Sequence, residues 1–355
     1  MRAPDLLHQL VATPSVSREE GALADLVQGL LQAWGAEVRR SGNNLWAEVG
    51  QGAPRLLLNS HLDTVPPCAG WSGDPFTPRW EGDRLVGLGA NDAKGCVTGM
   101  LLAFRTLLAV PPAEGTVVLA LTAEEEIGGQ GIATILDQLG PLDAALVGEP
   151  TGLQVCAAQR GMLLLRACAH GEGAHVAHAH LGENAVHKAA KDILHLASLH
   201  FEPHPLLGET KAQVTQVEGG RFRNQVPDGC SFFVDLRTTP NLDHAELAAR
   251  LAGELASEVT IHSARYLPKA TDPNHPIVKA ALQAAGKASP VGSATTSDWA
   301  FLGDLPAVKV GPGDTHRSHR PDEWISKAEL EAGVAFYASA VRTFLALGAR
   351  EVAHG

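Results

Sequence analysis

Residues 56–66 read Leu-Leu-Leu-Asn-Ser-His-Leu-Asp-Thr-Val-Pro, and this stretch indicates both a fold class and the position of a site. Its first part is short, apolar and continuous, which is typical of a strand buried inside a parallel sheet. Open α/β sheets bind ligands outside the carboxyl ends of their strands. The imidazole of His61 and the carboxylate of Asp63 are therefore expected where a site would form, although a histidine at a strand end is more often structural when considered alone.

Carboxylates follow two further predicted strands in the same way. Val117–Leu121 is a buried-type strand that leads into Glu124-Glu125-Glu126, and Ala144–Val147 is another that ends just before Glu149. Three adjacent carboxylates repel one another unless a cation lies nearby, and the alternative interpretation is a solvated acidic turn. Helices are predicted between these strands, so we expect a largely parallel sheet with helical crossovers.

Two more candidate residues come from a glycine-rich loop and from the last part of the chain. Asp92 ends the loop 87–92 and precedes a predicted helix over 94–109, while His319 follows an apolar strand at 307–310. The Gly-x-Gly of the loop does not indicate dinucleotide binding, because Asp92 replaces the third glycine and would repel a pyrophosphate. Taken alone, Asp92 could equally be the N-cap of the helix.

The convergence of these positions predicts a metal site. Unpaired carboxylates gathered at one sheet edge would cost several kcal/mol, and without a metal such a gathering is hard to explain. The candidate positions are His61, Asp92, Glu125 or Glu126, Glu149 and His319.

The charge and the cysteine content bound the partners and the location. The 355 residues include 28 Lys and Arg against 39 Asp and Glu, which gives a formal net charge of −11. An acidic surface argues against nucleic acid and anionic membrane as partners. The five cysteines form no Cys-x-x-Cys pair, which fits a reducing compartment. The N-terminus lacks a long apolar segment and no run reaches membrane-spanning length, so we expect a cytoplasmic protein.

The N-terminal part of the chain contains a helix signal. Ser17 and Glu20 have the spacing of a capping box. Apolar residues then recur at helical spacing as far as Gly35, which ends the predicted helix. We expect this helix to pack against the core of the molecule.

The middle third of the chain has a different element order. Patterns typical of strand, helix, strand, strand, helix and strand follow one another from Gly161 to Tyr266. This βαββαβ order is the split ferredoxin-like unit, which is a complete small domain. We therefore predict an α/β protein whose mostly parallel, helix-flanked sheet is interrupted by an insert, with domain segments at 1–159, 160–267 and 268–355.

The same residues occur in the order that characterises a known family. The chain resembles the M20 family of metal-dependent amidohydrolases, which includes acetylornithine deacetylase, succinyl-diaminopimelate desuccinylase, aminoacylases and enzymes of the carboxypeptidase G type. The resemblance covers essentially the whole length. It rests on His61-x-Asp63, the block from Gly89 to Gly95, Glu124-Glu125-Glu126, Gly148-Glu149-Pro150 and His319. It implies a zinc-exopeptidase-like catalytic domain and an inserted domain that serves as a lid and a dimerisation surface.

The resemblance also implies a dinuclear site for divalent ions, usually zinc or cobalt. Imidazole and carboxylate ligands suit zinc in general. Glu125 would be the general base, and Asp63 would orient a ligand histidine. The implied ligands are Asp92 bridging both ions, His61 and Glu149 on one ion, and Glu126 and His319 on the other.

Three residues of the insert correspond to lid residues of the family. His175 matches a histidine that reaches the site of the neighbouring subunit and stabilises the oxyanion, although it could also belong to a surface cluster of histidines. Arg237 matches an arginine that binds the substrate carboxylate, a role for which arginine is well suited, and its alternative is a surface strand residue. Asn224 occupies the position of the lid asparagine.

The implied activity is hydrolysis of the amide bond of an N-acyl amino acid. The blocks at 182–185 and 311–323 look closest to short deacylases of lysine and arginine biosynthesis, which release lysine or ornithine from an N-acetyl or carrier-protein-linked precursor. The alternatives within this class are an acetylornithine or succinyl-diaminopimelate deacylase, an aminoacylase and a peptidase that removes a terminal residue.

Other classes are less well supported by the sequence. It contains no His-Glu-x-x-His, Gly-x-Ser-x-Gly or Walker A motif. A non-catalytic, metal-holding dimer that binds a partner through the insert is the alternative from a different class. The presence of Glu125 beside Glu126 argues against that alternative, since a structural metal site needs only the ligand.

Overall fold

The computed structural model describes residues 1–128 and 131–352 and divides the chain into two compact units. The first unit comprises Met1–Ala157, Ala270–Val291 and the chain from Ser297 onward, and the second comprises Ala158–Lys269 with Gly292–Thr296. The sequence predicts domain segments at 1–159, 160–267 and 268–355. These boundaries describe independently folding domains and stay a prediction.

The regular elements of the described residues are numbered in chain order. The helices are α1 (Ala3–Val11), α2 (Gly21–Ala33), α3 (Lys94–Ala109), α4 (Gly131–Ile135), α5 (Ala185–Ser198), α6 (His244–Glu254), α7 (Pro276–Ala285) and α8 (Lys327–Val352). The strands are β1 (Val38–Ser41), β2 (Asn44–Gln51), β3 (Arg55–His61), β4 (Arg79–Glu81), β5 (Arg84–Val86), β6 (Gly115–Thr122), β7 (Ala144–Val147), β8 (Cys156–Gln159), β9 (Gly161–His170), β10 (Ala174–His175), β11 (Lys211–Gly219), β12 (Gln225–Val226), β13 (Gly229–Thr238), β14 (Glu258–Tyr266), β15 (Lys269–Ala270), β16 (Val291–Ser293), β17 (Ala307–Lys309) and β18 (Trp324–Ser326).

The main sheet has the strand order β1-β2-β6-β3-β7-β17-β8-β15, and β16 pairs with β8. Its central strands β6, β3, β7 and β17 are parallel. The pairs β1-β2, β2-β6 and β17-β8 are antiparallel. The prediction of a mostly parallel sheet flanked by helices is therefore confirmed, and the run Leu56–Ser60 lies in β3 at its centre.

Both faces of this sheet are covered, which explains why its central strands read as continuous apolar runs. Every residue of β6 is buried. On one face, Leu57 and Val118 pack with Ile132 of α4 and with Trp299. The helix α3 contacts β3 and β6, and it also packs against α1 and α8. The helix predicted over 94–109 is α3 with the same bounds.

The second unit has the element order predicted from the sequence. Its four long strands form an antiparallel sheet in the order β11-β13-β9-β14, and α5 and α6 connect them in the βαββαβ order. Alternate residues of β9 and β13 are buried against the two helices, and they include Leu163, Leu165, Phe232 and Val234. The short strands β10 and β12 form a separate antiparallel pair.

The sequence predicts a helix that is capped by Asp243 with Glu246 and extends to about Ser257, and the observed helix α6 is shorter. Its N-cap is Asp243, whose side chain accepts the backbone N–H groups of Ala245 and Glu246. The predicted end near Ser257 is wrong, because α6 ends at Glu254. The buried carboxylate of Asp192 accepts the backbone N–H groups of Ala256 and Ser257, so these groups do not continue the helix.

The last helix, α8, includes one segment that could cross a membrane by length and composition alone, residues 327–348. Its side chains Leu330, Phe336, Tyr337 and Phe344 are buried. The helix packs against α3 and α7 of the first unit. These contacts are those of a core helix, which meets the same criteria of length and apolarity.

Candidate metal centre

The candidate ligands that follow strands share one edge of the main sheet. Strand β3 ends at His61, which lies opposite Thr122 at the end of β6. Strand β7 ends at Val147 and also runs parallel to β3. The carboxylates that follow β6 and β7 in the sequence therefore emerge at the same edge as the imidazole.

His61 lies at the centre of the first group of candidate ligands. It is 2% exposed, and its Nε2 atom lies 3.2 Å from Oδ1 of Asp92 and 4.0 Å from Oε1 of Glu149. Burial lowers the pKa of His61, but hydrogen bonds to Asp63 and Asp92 and the charge of Glu149 outweigh burial and raise it well above its usual value.

His319 forms the second group with Glu126. Its Nε2 atom lies 2.9 Å from Oε2 of Glu126 and 3.9 Å from Oδ2 of Asp92. The hydrogen bond with Glu126 raises the pKa of His319 to about 9. The two oxygens of Asp92 thus face different histidines, Oδ1 towards His61 and Oδ2 towards His319.

The remaining carboxyl groups are held in an unfavourable electrostatic environment. Burial and the charge of Asp92 raise the pKa of Glu149 to about 8. Burial also raises the pKa of Glu126, although the hydrogen bond from His319 opposes the increase. Crowded, buried carboxylates of this kind are stabilised by a nearby positive charge.

Asp63 contacts more of the site than the orienting role implies. Its carboxylate lies 3.4 Å from Nδ1 of His61, and it accepts hydrogen bonds from the backbone nitrogens of Glu125 and Glu126, each at 3.1 Å. The hydroxyl of Ser17 donates a further hydrogen bond of 2.7 Å. Burial raises the pKa of Asp63, but the hydrogen bonds from His61 and Ser17 lower it by more.

The predicted capping box is therefore wrong, and the alternative interpretation of Asp92 as a helix cap is excluded. The Ser17 hydroxyl donates to Asp63 instead of capping α2, and the N-cap of α2 is Glu20, which makes no side-chain cap hydrogen bond. The N-cap of α3 is Ala93, so Asp92 does not cap that helix. In both cases, a side chain that could satisfy a helix end is used in the candidate site.

Glu125 is half-buried beside this group. Burial, followed by the charge of Glu149, raises its pKa well above the usual value. Its backbone nitrogen is fixed by Asp63. Carboxyl groups that transfer protons in active sites commonly have a raised pKa, and the general-base role of Glu125 stays a prediction.

Two of the three predicted lid residues lie together in the second unit. His175 pairs with Gln225 in the β10-β12 ladder, and the backbone nitrogen of Val176 donates to the carbonyl of Asn224. Both His175 and Asn224 are exposed. The ring of His175 is 6.3 Å from that of His178, so the neighbouring histidines do lie close together.

Arg237 lies near one end of the four-stranded sheet of the second unit. In the β9-β13 ladder, Gly229 pairs with His170 at one end and Arg237 pairs with Met162 near the other. Arg237 is eight positions from Gly229, which corresponds to about 26 Å along a strand. Its guanidinium forms two hydrogen bonds with Asp235, at 2.8 and 3.0 Å. The backbone of Gly171, which leads to β10, contacts Asp228 beside Gly229.

Two residues that support the site, Glu323 and Asp298, were given no role from the sequence. Glu323 is 2% exposed and accepts hydrogen bonds from the backbone of Asn91 and Asp92. Asp298 is buried and accepts a hydrogen bond from Thr122 at the end of β6. A weak signal existed for Glu323, since it follows a candidate histidine by four positions, but a sequence does not reveal which distant backbone groups a carboxylate contacts.

The donor set fits a divalent metal. Ligand atoms of His61, Asp92 and Glu126 all lie within 4.8 Å of one another, and they form a possible metal site. Glu149 and His319 extend this group on either side of Asp92. Imidazole and carboxylate groups are ligand types that zinc accepts, and the raised pKa values of Glu126 and Glu149 are those expected where a cation would relieve the crowding.

Comparison with known proteins shows the family and the fold of this chain. Residues 57–343 match the family described as Peptidase family M20/M25/M40. A succinyl-diaminopimelate desuccinylase of Xanthomonas oryzae pv. oryzae (strain PXO99A) is 31% identical over 96% of this chain and 98% of its own. The solved aminopeptidase PepT of Bacillus cereus ATCC 10987 has a TM-score of 0.80 at 22% identity, covering 97% of this chain and 98% of its own. The M20 family metallo-carboxypeptidase Sso-CP2 of Sulfolobus solfataricus has a TM-score of 0.77 at 21% identity, covering 98% and 100%.

The fold and the site together define a hydrolase of the metallopeptidase and amidohydrolase class. An α/β sheet presents histidines and carboxylates at the carboxyl ends of its strands, and the chain is interrupted by a ferredoxin-like unit. The match spans most of the chain. The protein belongs to peptidase family M20/M25/M40, and the predicted family resemblance is confirmed.

Proposed function

We propose that this protein hydrolyses the amide bond of an N-acyl amino acid with the help of two divalent metal ions, most simply zinc. The observation that carries the proposal is the arrangement of Asp92, whose two oxygens face His61 and His319 separately. Each histidine has a second carboxylate beside it, Glu149 for His61 and Glu126 for His319. This is the donor set expected for two ions that share one carboxylate.

The ions would polarise the amide carbonyl and lower the pKa of a water molecule. Glu125 accepts the proton of the attacking water and returns it to the amine nitrogen as the C–N bond breaks. Its half-buried position beside the candidate ligands and its raised pKa support this role, because active sites commonly raise the pKa of a carboxyl group that transfers protons. Asp63 holds the backbone of Glu125 and the ring of His61 in register.

We propose that the second unit serves as lid and dimerisation domain. Arg237 would bind the substrate carboxylate, and His175, with Asn224, would act at the site of a neighbouring subunit. Arg237 lies near one end of β13, whereas the segment that leads to His175 contacts Asp228 just before the other end of β13, and this separation supports the division. This arrangement favours contributions of the two residues to one small substrate from different subunits.

For the substrate, we propose an N-acylated intermediate of lysine or arginine biosynthesis, either free or attached to a carrier protein. The desuccinylase name of the curated relative supports an N-acyl amino acid as the substrate class. The blocks at 182–185 and 311–323 support the lysine and ornithine deacylases within that class. A cytoplasmic location is proposed as well, and it is supported by the five cysteines, all of which are free thiols.

The test combines one variant with a set of substrates. In Glu125→Gln, metal content should equal that of the wild type while turnover falls by about 10²- to 10⁴-fold. The matched control is Glu124→Gln, which changes the adjacent carboxylate, half-buried and 3.8 Å from Arg18, and should keep activity within about threefold. Activity of Glu125→Gln within about tenfold of wild type would reject the role of Glu125.

The substrates identify the class of amide. Initial rates are compared for N-acetyl-ornithine, N-acetyl-lysine, N-succinyl-diaminopimelate, an acylated carrier protein and a dipeptide. Faster turnover of an N-acyl amino acid or of the acylated carrier supports the proposal. Faster turnover of the dipeptide would show that the protein is a peptidase and would overturn the proposed deacylase activity. Metal binding without hydrolysis of any of them would indicate a non-catalytic metal-holding protein.

A further inference from the structure

The buried carboxylate of Glu323 contacts the loop that carries Asp92. Its Oε1 atom accepts hydrogen bonds from the backbone nitrogens of Asn91 and Asp92, both at 2.8 Å, and its Oε2 atom accepts one from Gly89 at 3.0 Å. Glu323 is 2% exposed, and it follows His319 by four positions. One side chain therefore accepts hydrogen bonds from three of the backbone N–H groups of the loop.

Further hydrogen bonds join the same two segments of the chain. The side chain of Asn91 donates to the carbonyl of Asp314 at 3.0 Å and accepts from its backbone nitrogen at 2.8 Å. The backbone nitrogen of Gly87 donates to the carbonyl of Glu323 at 2.9 Å. The segments that carry Asp92 and His319 are thus connected at several points, and one of the three bonds of Glu323 is made to the backbone nitrogen of Asp92 itself.

Strand pairing alone does not fix the loop. Strand β18 pairs with β5, and this ladder ends where Trp324 lies opposite Val86. Residues 87–92, which include Asp92, lie beyond this ladder and form no further strand pairs with β18. Hydrogen bonds from backbone N–H groups to a carboxylate are charge-assisted and short, so they can define the position of such a loop.

We propose that Glu323 is a positioning residue for the metal centre, which sets the place of Asp92 relative to His319. Through this contact Glu323 determines how the two oxygens of Asp92 are presented to the two groups of ligands. The consequence for catalysis rests on the proposed function. The consequence for metal binding does not depend on any substrate, so the two can be tested separately.

The diagnostic variant is Glu323→Gln. Glutamine keeps the shape of the side chain but replaces one acceptor oxygen by an NH₂ group, which would then face backbone N–H groups. At least one of the three hydrogen bonds is lost, and a donor is placed against a donor. A merely structural carboxylate would lose stability in this variant, whereas a positioning carboxylate would also change the metal centre.

The chain offers a matched control in the second unit. The carboxylate of Asp192 is also buried, and it accepts the backbone N–H groups of Ala256 and Ser257 and the hydroxyl of Ser257. Asp192→Asn removes the same kind of interaction from a unit that contains none of the proposed metal ligands. It should lower the thermal midpoint while metal affinity stays within about threefold of wild type.

Metal binding is measured on the full chain without substrate. Metal-free protein is titrated with Zn²⁺ against a competing chelator, and the absorption spectrum of the Co²⁺-loaded protein is recorded. We expect Glu323→Gln to bind metal about 10- to 100-fold more weakly and to show an altered Co²⁺ spectrum. Loss of a residue that orients a metal ligand typically lowers metal affinity by about this factor. Glu323→Asp, which keeps both oxygens on a shorter side chain, should show a smaller loss.

The outcomes separate the two proposals. Folded Glu323→Gln could keep wild-type metal affinity and an unchanged Co²⁺ spectrum while losing stability as Asp192→Asn does. This result would show that Glu323 has only a structural role. If Glu323→Gln does not fold, wild-type affinity and spectrum in Glu323→Asp overturn the positioning role in the same way. Wild-type protein that binds no divalent metal would overturn the proposed function and the positioning role together.

Discussion

The carboxylate of Asp63 accepts a hydrogen bond from the backbone nitrogen of Glu126, at 3.1 Å. The other oxygen of the same carboxylate accepts from the backbone of Glu125, and it lies 3.4 Å from Nδ1 of His61. Asp63 therefore connects the end of β3 to the acidic turn that follows β6. Asp63 therefore contacts one candidate ligand of each group, His61 and Glu126, and also the proposed base Glu125. Its role is wider than the orientation of one histidine.

The replacement Asp63→Asn should affect metal binding and turnover together. Asparagine keeps the size of the side chain but removes its charge and replaces one acceptor by a donor. We expect metal affinity and kcat each to fall by about 10- to 100-fold, because the partners that orient ligands are nearly as important as the ligands. Chelator competition and steady-state rates at saturating metal measure the two effects separately.

The hydroxyl of Ser17 provides a graded control for this prediction. It donates a single hydrogen bond to Asp63, so Ser17→Ala should reduce the same quantities by a smaller factor, about 2- to 10-fold. Wild-type affinity and turnover in Asp63→Asn would contradict the network. A larger effect in Ser17→Ala than in Asp63→Asn would contradict it as well.

Removal of metal is predicted to lower the thermal stability of the protein. Burial and the charge of Asp92 disfavour the ionised form of Glu149, whose pKa is raised to about 8, and a cation would relieve this repulsion. A ligand present at 100 times its Kd stabilises the folded state by about 2.7 kcal/mol. We expect the midpoint in calorimetry to fall on treatment with EDTA and to recover with Zn²⁺ or Co²⁺.

Magnesium is the control ion for this measurement. It prefers octahedral oxygen ligands and is a poor match for a site with two histidines. Mg²⁺ should therefore restore much less of the midpoint than Zn²⁺ at the same concentration. Equal midpoints with and without EDTA, for protein shown to have contained metal, would contradict the prediction.

The sequence was sufficient for features that depend on local patterns. The apolar run before His61 indicated a central strand, and the order of strand and helix patterns from Gly161 to Tyr266 indicated the ferredoxin-like unit. Ligand-type residues at the ends of parallel strands had to meet at one edge, because parallel strands end on the same side. The proximity of His61 to the turn that carries Glu126 followed from this topology, whereas the position of Asp92 also depends on contacts of its loop.

The features that the sequence did not reveal are side-chain contacts over long separations. Ser17 has the spacing of a capping residue, yet its hydroxyl donates to a carboxylate 46 positions away. Glu323 contacts backbone groups more than 200 positions earlier. The early end of α6 depends on Asp192, 64 positions before Ala256. A local pattern gives the hydrogen-bonding capacity of a residue but not the partner that the fold supplies.

A pH-dependent effect on stability is predicted for Asp298. Burial raises the pKa of this carboxyl to about 6, although hydrogen bonds from Thr122 and Asn59 oppose the increase. A group whose pKa is raised in the folded state favours folding below its unfolded pKa, and this contribution is lost as the pH rises through about 6. At pH 8 the loss is on the order of 3 kcal/mol.

The replacement Asp298→Asn should remove this dependence. Asparagine keeps an acceptor for the hydroxyl of Thr122 but cannot ionise. In the metal-free protein, we expect the variant to be more stable than wild type at pH 8 and to lose this advantage between pH 6 and pH 4. Chemical denaturation at several pH values measures the difference. A difference that does not vary with pH would contradict the assignment.

The last prediction concerns the residues of the second unit and distinguishes a shared active site from one made by a single chain. His175→Ala and Arg237→Ala should each form dimers of low activity, because each lacks one substrate-contacting group. In a mixed dimer, the site that uses the intact Arg237 of one chain also receives the intact His175 of the other. The second site of the same dimer lacks both groups.

Co-expression of the two variants with different affinity tags should therefore recover activity. Random pairing gives half mixed dimers, each with one complete site, or about a quarter of wild-type activity in the total pool. Mixed dimers isolated by both tags should reach about half. Isolated mixed dimers no more active than the single variants would show that His175 does not act across the subunit boundary, and a fully active monomer would exclude the shared site altogether.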